Sequence, residues 1–160
     1  IGAKLGMDVP FFFYGPTALA QGRGERLTEL SPLPKMQILL VNPGFETSTA
    51  WVYKNLNLRL TKKVDCNKIL RLTVGNISAG LHNDLETVTA AAHPEIHTIR
   101  QSLLEQGAAG VLMSGSGPTV FGIFKTGTGC MNAAENLSDR GWKLFPTETL
   151  VASPLSGHIR

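Results

Sequence analysis

Gly115, Ser116, Gly117 and Pro118 lie between two apolar runs in the stretch VLMSGSGPTVFGIF (111–124). Small residues let a backbone approach an anion closely, and consecutive N–H groups can form an anion-binding concavity. A glycine-rich link between two strands is the other use of such a loop, although this one is longer than a two-residue turn. It is not the GxxxxGK[ST] phosphate loop, so the residues alone leave both uses open. Asp8, ahead of Val9 and Pro10, suits a turn or cap. As a carboxylate with a free pKa near ~3.9 it could also take a proton from a substrate hydroxyl or orient that hydroxyl. Trp51 and Tyr53 follow a helix-capping pattern; rings there serve a core, a domain interface or stacking on a flat base. His93 and His97 lie four apart, but Pro94 sits between them and no HExxH pattern is present. For these two and His82, surface or packing roles are expected over metal binding.

Several elements must hold these residues. Residues 1–7 could finish a helix, broken where Pro10 disfavours the helical region for Val9. FFFYG (11–15) and TALAQG (17–22) read as short strands, followed by a turn at 22–25. The Ser-Pro-Leu-Pro stretch at 31–34 is a plausible domain boundary. KMQILLV (35–41) predicts a buried strand ended by Asn42, Pro43 and Gly44. Ser48 or Thr49 can cap a helix that begins at Ala50. Asn83 or Asp84 caps a longer amphipathic helix with Leu85, Val88, Ile96, Ile99 and Leu103 facing inward. His93 and Pro94 bend or divide it. Two strands flank the glycine loop, a helix covers 131–140 and stops at Gly141. A last strand covers 142–151, ahead of a loose tail. Strand, helices, two strands, helix and strand make an α+β domain: one antiparallel sheet with its helices on one face.

Composition narrows the function classes. The 160 residues suffice for one domain or one and a fraction, and 42% hydrophobic with 17% charged residues suits a globular protein. No apolar stretch approaches the ~20 residues of a membrane helix, so no membrane partner is expected. The net charge of +3 is modest. Its densest part, 54–68, is interrupted by Leu, Asn and Asp, which predicts a solvated face rather than a nucleic-acid patch. Cys66 and Cys130 form no CxxC or metal spacing, which favours a reducing cytoplasm. The chain opens at Ile1 and runs straight into IGAKLGMDVP, so it is expected to be a piece of a longer protein.

GMDVPFF (6–12), TALAQGRGE (17–25), LLVNPGFETSTAWVY (39–53), HNDLE (82–86) and GVLMSGSGPTVFGIF (110–124) occur in that order. From about residue 1 to 150 they resemble the GHMP small-molecule kinase superfamily. Within it they resemble the family acting on 4-diphosphocytidyl-2-C-methyl-D-erythritol. The GSG loop alone is shared across the superfamily; the combination of DVPFF, GRGE, NPG…ST…Y and NDLE is far more specific. The resemblance implies transfer of the γ-phosphoryl group of ATP, with Mg²⁺, to the 2-hydroxyl of that substrate, in the non-mevalonate route to isoprenoid precursors. It implies Asp8 as catalytic base and Ser114, Gly115, Ser116 and Gly117 as the phosphate-side loop. Thr49 would lie at the substrate and Tyr53 would stack on its cytosine ring. The implied fold is a GHMP kinase C-terminal domain at 34–152, a ferredoxin-like antiparallel sheet with helices on one face. The last strands of the N-terminal domain would precede it at 1–33, and a flexible tail would follow at 153–160.

The family's ATP-binding glycine loop and the lysine beside its catalytic Asp have no counterpart here. Gly80-Leu81-His82 and Gly127-Thr128-Gly129 are no substitutes. The expectation is therefore a C-terminal portion, inactive as a kinase by itself. Its partners would be ATP, the small-molecule substrate and the missing N-terminal half of the same protein. Two alternatives stay open: a GHMP kinase of homoserine or mevalonate type, whose substrates carry no flat base, and a non-enzymatic α+β interaction module.

Overall fold

A computed structural model describes residues 9–12, 17–22, 24, 26–30, 33–57 and 76–152. Asp8, Cys66, most of the basic run and the tail from 153 lie outside the described residues. The chain divides into two compact units, Ile1–Lys35 with Thr149–Arg160, and Met36–Glu148.

In the first unit, α1 (Val9–Phe12) is a single helical turn. Pro10 falls in that turn, where its missing N–H breaks no helical bond. The strand expected at 11–15 is therefore replaced at Phe11 and Phe12 by helix, and its remainder lies outside the described residues. β1 (Ala18–Gln21) pairs antiparallel with β2 (Arg26–Glu29), from Ala18 opposite Glu29 to Gln21 opposite Arg26. The Gly24 N–H closes the expected turn on the Gln21 carbonyl at 3.2 Å.

The second unit holds β3 (Gln37–Asn42), β4 (Gly110–Met113), β5 (Val120–Phe124) and β6 (Lys143–Glu148), antiparallel in the order β4-β5-β3-β6. Alternate strand residues face opposite sides of a sheet. Leu39, Val41, Val111, Met113, Val120 and Phe124 turn to one side. There α4 (Glu95–Glu105) brings Ile96, Ile99 and Leu103, and α5 (Gly127–Asn136) brings Cys130 and Ala133, into a single core. Each fully buried aliphatic side chain contributes about 1.5–3 kcal/mol. The expected α+β layer, with helices on one face, is the observed one.

α4 shows the expected inner face, since Ile96, Ile99 and Leu103 are fully buried. α3 (Asp84–Ala92) is separated from α4 at His93 and Pro94 and does not follow the expected pattern. It buries Glu86, Thr89 and Ala90, while Leu85 and Val88 are only partly covered. Its inward face meets the backbone of the glycine loop, whose buried N–H and C=O groups require polar partners. α5 begins at Gly127, ahead of the expected 131, because Thr126 caps it by accepting from the Gly129 N–H at 3.1 Å. That cap overcomes the low helix propensity of two glycines.

Candidate functional site

The loop between β4 and β5 is first of all a hairpin connection. The Ser114 N–H donates to the Thr119 carbonyl at 2.8 Å, and the Gly117 N–H returns to the Ser114 carbonyl at 3.0 Å. Gly115 and Gly117 have φ of +55° and +87°, the left-handed region that glycine occupies at no Cβ cost.

Two segments distant in sequence hold this hairpin. At the end of β3, Asn42 Nδ2 donates to Thr119 Oγ1 at 3.0 Å, and Asn42 Oδ1 accepts from the Gly44 N–H at 2.8 Å. The segment that follows reaches the tip of the loop. Thr47 Oγ1 donates to the Ser116 carbonyl at 3.2 Å, and the Thr49 and Ser116 hydroxyls meet at 2.8 Å. Thr49 opens α2 (Thr49–Asn55), whose cap is Ser48, accepting from the Trp51 N–H at 3.3 Å. From the other flank, Asn83 Nδ2 donates to the Met113 and Gly115 carbonyls, both at 2.8 Å. Thr89 Oγ1 donates to the Ser116 carbonyl at 3.0 Å. Glu86 Oε2 accepts from the buried Met113 N–H at 2.8 Å, while Oε1 is ion-paired with Arg100.

With these carbonyls engaged, the N–H groups of Gly115 and Ser116 have no hydrogen-bond acceptor among the described residues. Two adjacent donors in a left-handed turn are what an anion-binding concavity needs. Gly117 is sterically required. A Cβ there would stand 2.6 Å from Met113 Sδ and 3.2 Å from Thr89 Cγ2. Gly117→Ala is therefore expected to lower stability by about 2–4 kcal/mol, from left-handed strain and overpacking together. A urea midpoint measures the loss. Gly115→Ala, with nothing within 4 Å of its Cβ, should show the smaller loss of strain alone.

Thr49 and Tyr53 are four residues apart on α2 and so share a flank. Tyr53 is 61% exposed and Trp51 45%, so neither ring is a core residue. Trp51 borders a separate cleft of about 750 Å³ with Leu56, His82, Val88 and Ala91. The histidines scatter. His82 Nε2 contacts Asp84 Oδ1 at 2.7 Å, His93 stacks on Phe45 with centroids 4.4 Å apart, and His97 is exposed. Cys130 is buried, which pushes its thiol pKa up, partly offset by a backbone hydrogen bond from Thr147.

The structure thus brings Thr49 against Ser116 and leaves Tyr53 exposed one helical turn on; Asp8 lies outside the described residues. Asn83 caps α3 as expected, accepting from the Leu85 N–H at 3.0 Å. Its second role, and those of Thr47, Glu86 and Thr89, went unread in the sequence. A signal was present. Asn83-x-x-Glu86 has capping-box spacing, and Asn83, Glu86 and Thr89 recur at near-helical intervals as a polar stripe.

Comparison with known proteins adds a family context. Residues 69–141 match the family model described as GHMP kinases C terminal. The chain is 54% identical over 150 residues to the 4-diphosphocytidyl-2-C-methyl-D-erythritol kinase of Syntrophotalea carbinolica, covering 92% of this chain and 53% of that protein. A crystal structure of 4-(cytidine 5'-diphospho)-2C-methyl-D-erythritol kinase superposes with a TM-score of 0.77 at 30% identity, covering 91% of this chain and 54% of that one. Homoserine kinase from Cytophaga hutchinsonii, at 15% identity and a TM-score of 0.68 over 91% of this chain and 51% of its own, shares the fold alone. The chain spans about half the length of the curated relatives it matches.

Proposed function

We propose that this chain carries a GHMP kinase C-terminal domain in its Met36–Glu148 unit, where the family match at 69–141 falls, and is the C-terminal portion of an ATP-dependent kinase. Its substrate is 4-diphosphocytidyl-2-C-methyl-D-erythritol, phosphorylated on the 2-hydroxyl in the non-mevalonate route to isoprenoid precursors. The observation that carries this reading is the 2.8 Å contact between the Thr49 and Ser116 hydroxyls. It joins the substrate-side segment to the phosphate-side loop, so one small region addresses both reactants. Residues 1–33 are then the trailing segment of the N-terminal domain, 34–152 the C-terminal domain and 153–160 a tail. The cytoplasm is the proposed compartment, in keeping with the free thiol of Cys130.

Each residue has a role in that reaction. Asp8 accepts the proton of the substrate 2-hydroxyl. The hydroxyl oxygen bonds to the γ-phosphorus, the bond from that phosphorus to the bridging oxygen breaks, and ADP leaves with the electron pair. Such transfers depend on positioning and charge stabilisation more than on covalent help. The Gly115 and Ser116 N–H groups offer hydrogen bonds to the transferring phosphate oxygens. Thr49 lies at the substrate, and the exposed Tyr53 ring stacks on its cytosine. A homoserine or mevalonate substrate offers no flat base to that ring. Mg²⁺ would neutralise phosphate charge. Among the described residues no cluster of three His, Cys, Asp or Glu side chains could hold it, so no step is assigned to the ion.

The test is a coupled ADP-release assay on the full-length protein. ADP release should depend on the cytidine substrate, and the isolated chain should show none. Tyr53→Ala should raise KM for that substrate roughly 10- to 100-fold with kcat little changed, the loss expected of one base–aromatic stack. No substrate-dependent ADP release by the full-length protein would refute the reading, and an unchanged KM would remove Tyr53 from it.

A further inference from the structure

We infer that Asn83 is a positioning residue for the phosphate-side loop, aiming the Ser116 N–H at the bound phosphate; the catalytic consequence rests on the kinase reading above. In a trans peptide the C=O and N–H groups point in opposite directions. The Met113 carbonyl is held by Asn83 Nδ2 at 2.8 Å, and the N–H of the same peptide, on Ser114, points across to the Thr119 carbonyl at 2.8 Å. The Gly115 carbonyl is held by the same Nδ2 at 2.8 Å. The N–H of that peptide, on Ser116, is thereby turned away from α3 to where no described group accepts it. The next peptide is fixed independently: Thr47 and Thr89 hold the Ser116 carbonyl, and the Gly117 N–H returns to Ser114. The Ser116 N–H is therefore the loop donor whose direction depends on a single side chain.

Asparagine suits this place because its amide supplies two donors and an acceptor on one plane. Both donors go to the loop, and the oxygen caps α3 through the Leu85 N–H at 3.0 Å. Aspartate caps a helix as well as asparagine does, but it has no donor. Its carboxylate would face two carbonyl oxygens. Asn83→Asp therefore separates the cap from the clamp.

The experiment compares full-length wild type and Asn83→Asp by far-UV circular dichroism, amide NMR and steady-state kinetics. The helical signal should persist and the Gly115 and Ser116 amide resonances should shift. kcat should fall about 10²-fold, with KM for the cytidine substrate within about threefold, as expected when a reacting group is displaced without loss of substrate contacts. Unmoved resonances with kcat within about twofold would overturn the inference and leave Asn83 a cap only. Should Asn83→Asp not fold, Asn83→Ser, which keeps a capping oxygen and offers at most one donor, is read in the same way. If the wild type itself releases no ADP with the cytidine substrate, the kinase reading has failed and the resonances decide the clamp. Displacement supports it and constancy overturns it.

Discussion

In the full-length protein, Asp8→Asn should lower kcat by about 10²–10⁴-fold while KM for both substrates stays within about threefold. Asparagine has nearly the size of aspartate and keeps an oxygen that can accept a hydrogen bond from the 2-hydroxyl, so ground-state binding is preserved. It cannot take the proton. In a loose phosphoryl-transfer transition state that proton leaves late, which favours the lower half of the range. The pH profile distinguishes this role from a turn or cap role. A free aspartate has a pKa near ~3.9 and acts as a base only when ionised, so wild-type kcat should fall as pH drops through the value Asp8 takes in the protein. The asparagine variant should lose that acid limb. A variant with wild-type kcat and an unchanged acid limb would show that Asp8 is not the base.

The parts of the molecule that were legible in advance are those where one short stretch determines its own environment. KMQILLV became β3, one of the two central strands of its sheet, flanked by β5 and β6. Ile96, Ile99 and Leu103 marked the buried stripe of α4 because helix periodicity reads apolar faces directly. Local chemistry placed each cap to within one residue, and the structure takes Ser48 over Thr49 and Asn83 over Asp84. What was not legible depends on partners far along the chain. Glu86 and Thr89 face inward because the backbone of residues 113–116 lies opposite them, some 27 residues later in sequence. Periodicity shows Asn83, Glu86 and Thr89 as a polar stripe, but without that knowledge a polar stripe reads as a solvent face. Thr49 and Ser116 meet across 67 residues, and only the pairing of β3 with β5 brings them together. The start of α5 was obscured for the opposite reason: two glycines argued against helix, and a single threonine cap outweighed them.

Glu86 is where the fold and the candidate site depend on one side chain, and Glu86→Ala should cost about 2–4 kcal/mol of stability. Two losses add. The Met113 N–H, buried at the end of β4, loses its acceptor, an unsatisfied group worth about 1–3 kcal/mol. Arg100 loses its carboxylate partner. Breaking a fully buried ion pair costs roughly 3–5 kcal/mol. The Arg100 side chain is 32% exposed, however, so its guanidinium can turn to water and this loss falls to about 1 kcal/mol. Glu86→Gln keeps an oxygen for the Met113 N–H and removes only the charge. It should therefore cost clearly less than Glu86→Ala, near the 1 kcal/mol of the ion pair alone. Urea unfolding of the two variants, together with Arg100→Ala and the double mutant, gives the coupling directly. Equal losses for alanine and glutamine would mean that the charge pair between α3 and α4, not the strand N–H, carries the stabilisation. An alanine variant within about 0.5 kcal/mol of wild type would mean that neither does. The expected order, alanine well below glutamine, would place the anchor at Met113, immediately before the loop. Asn83 would then be free to set the direction of the loop's N–H groups on a strand that Glu86 has already fixed.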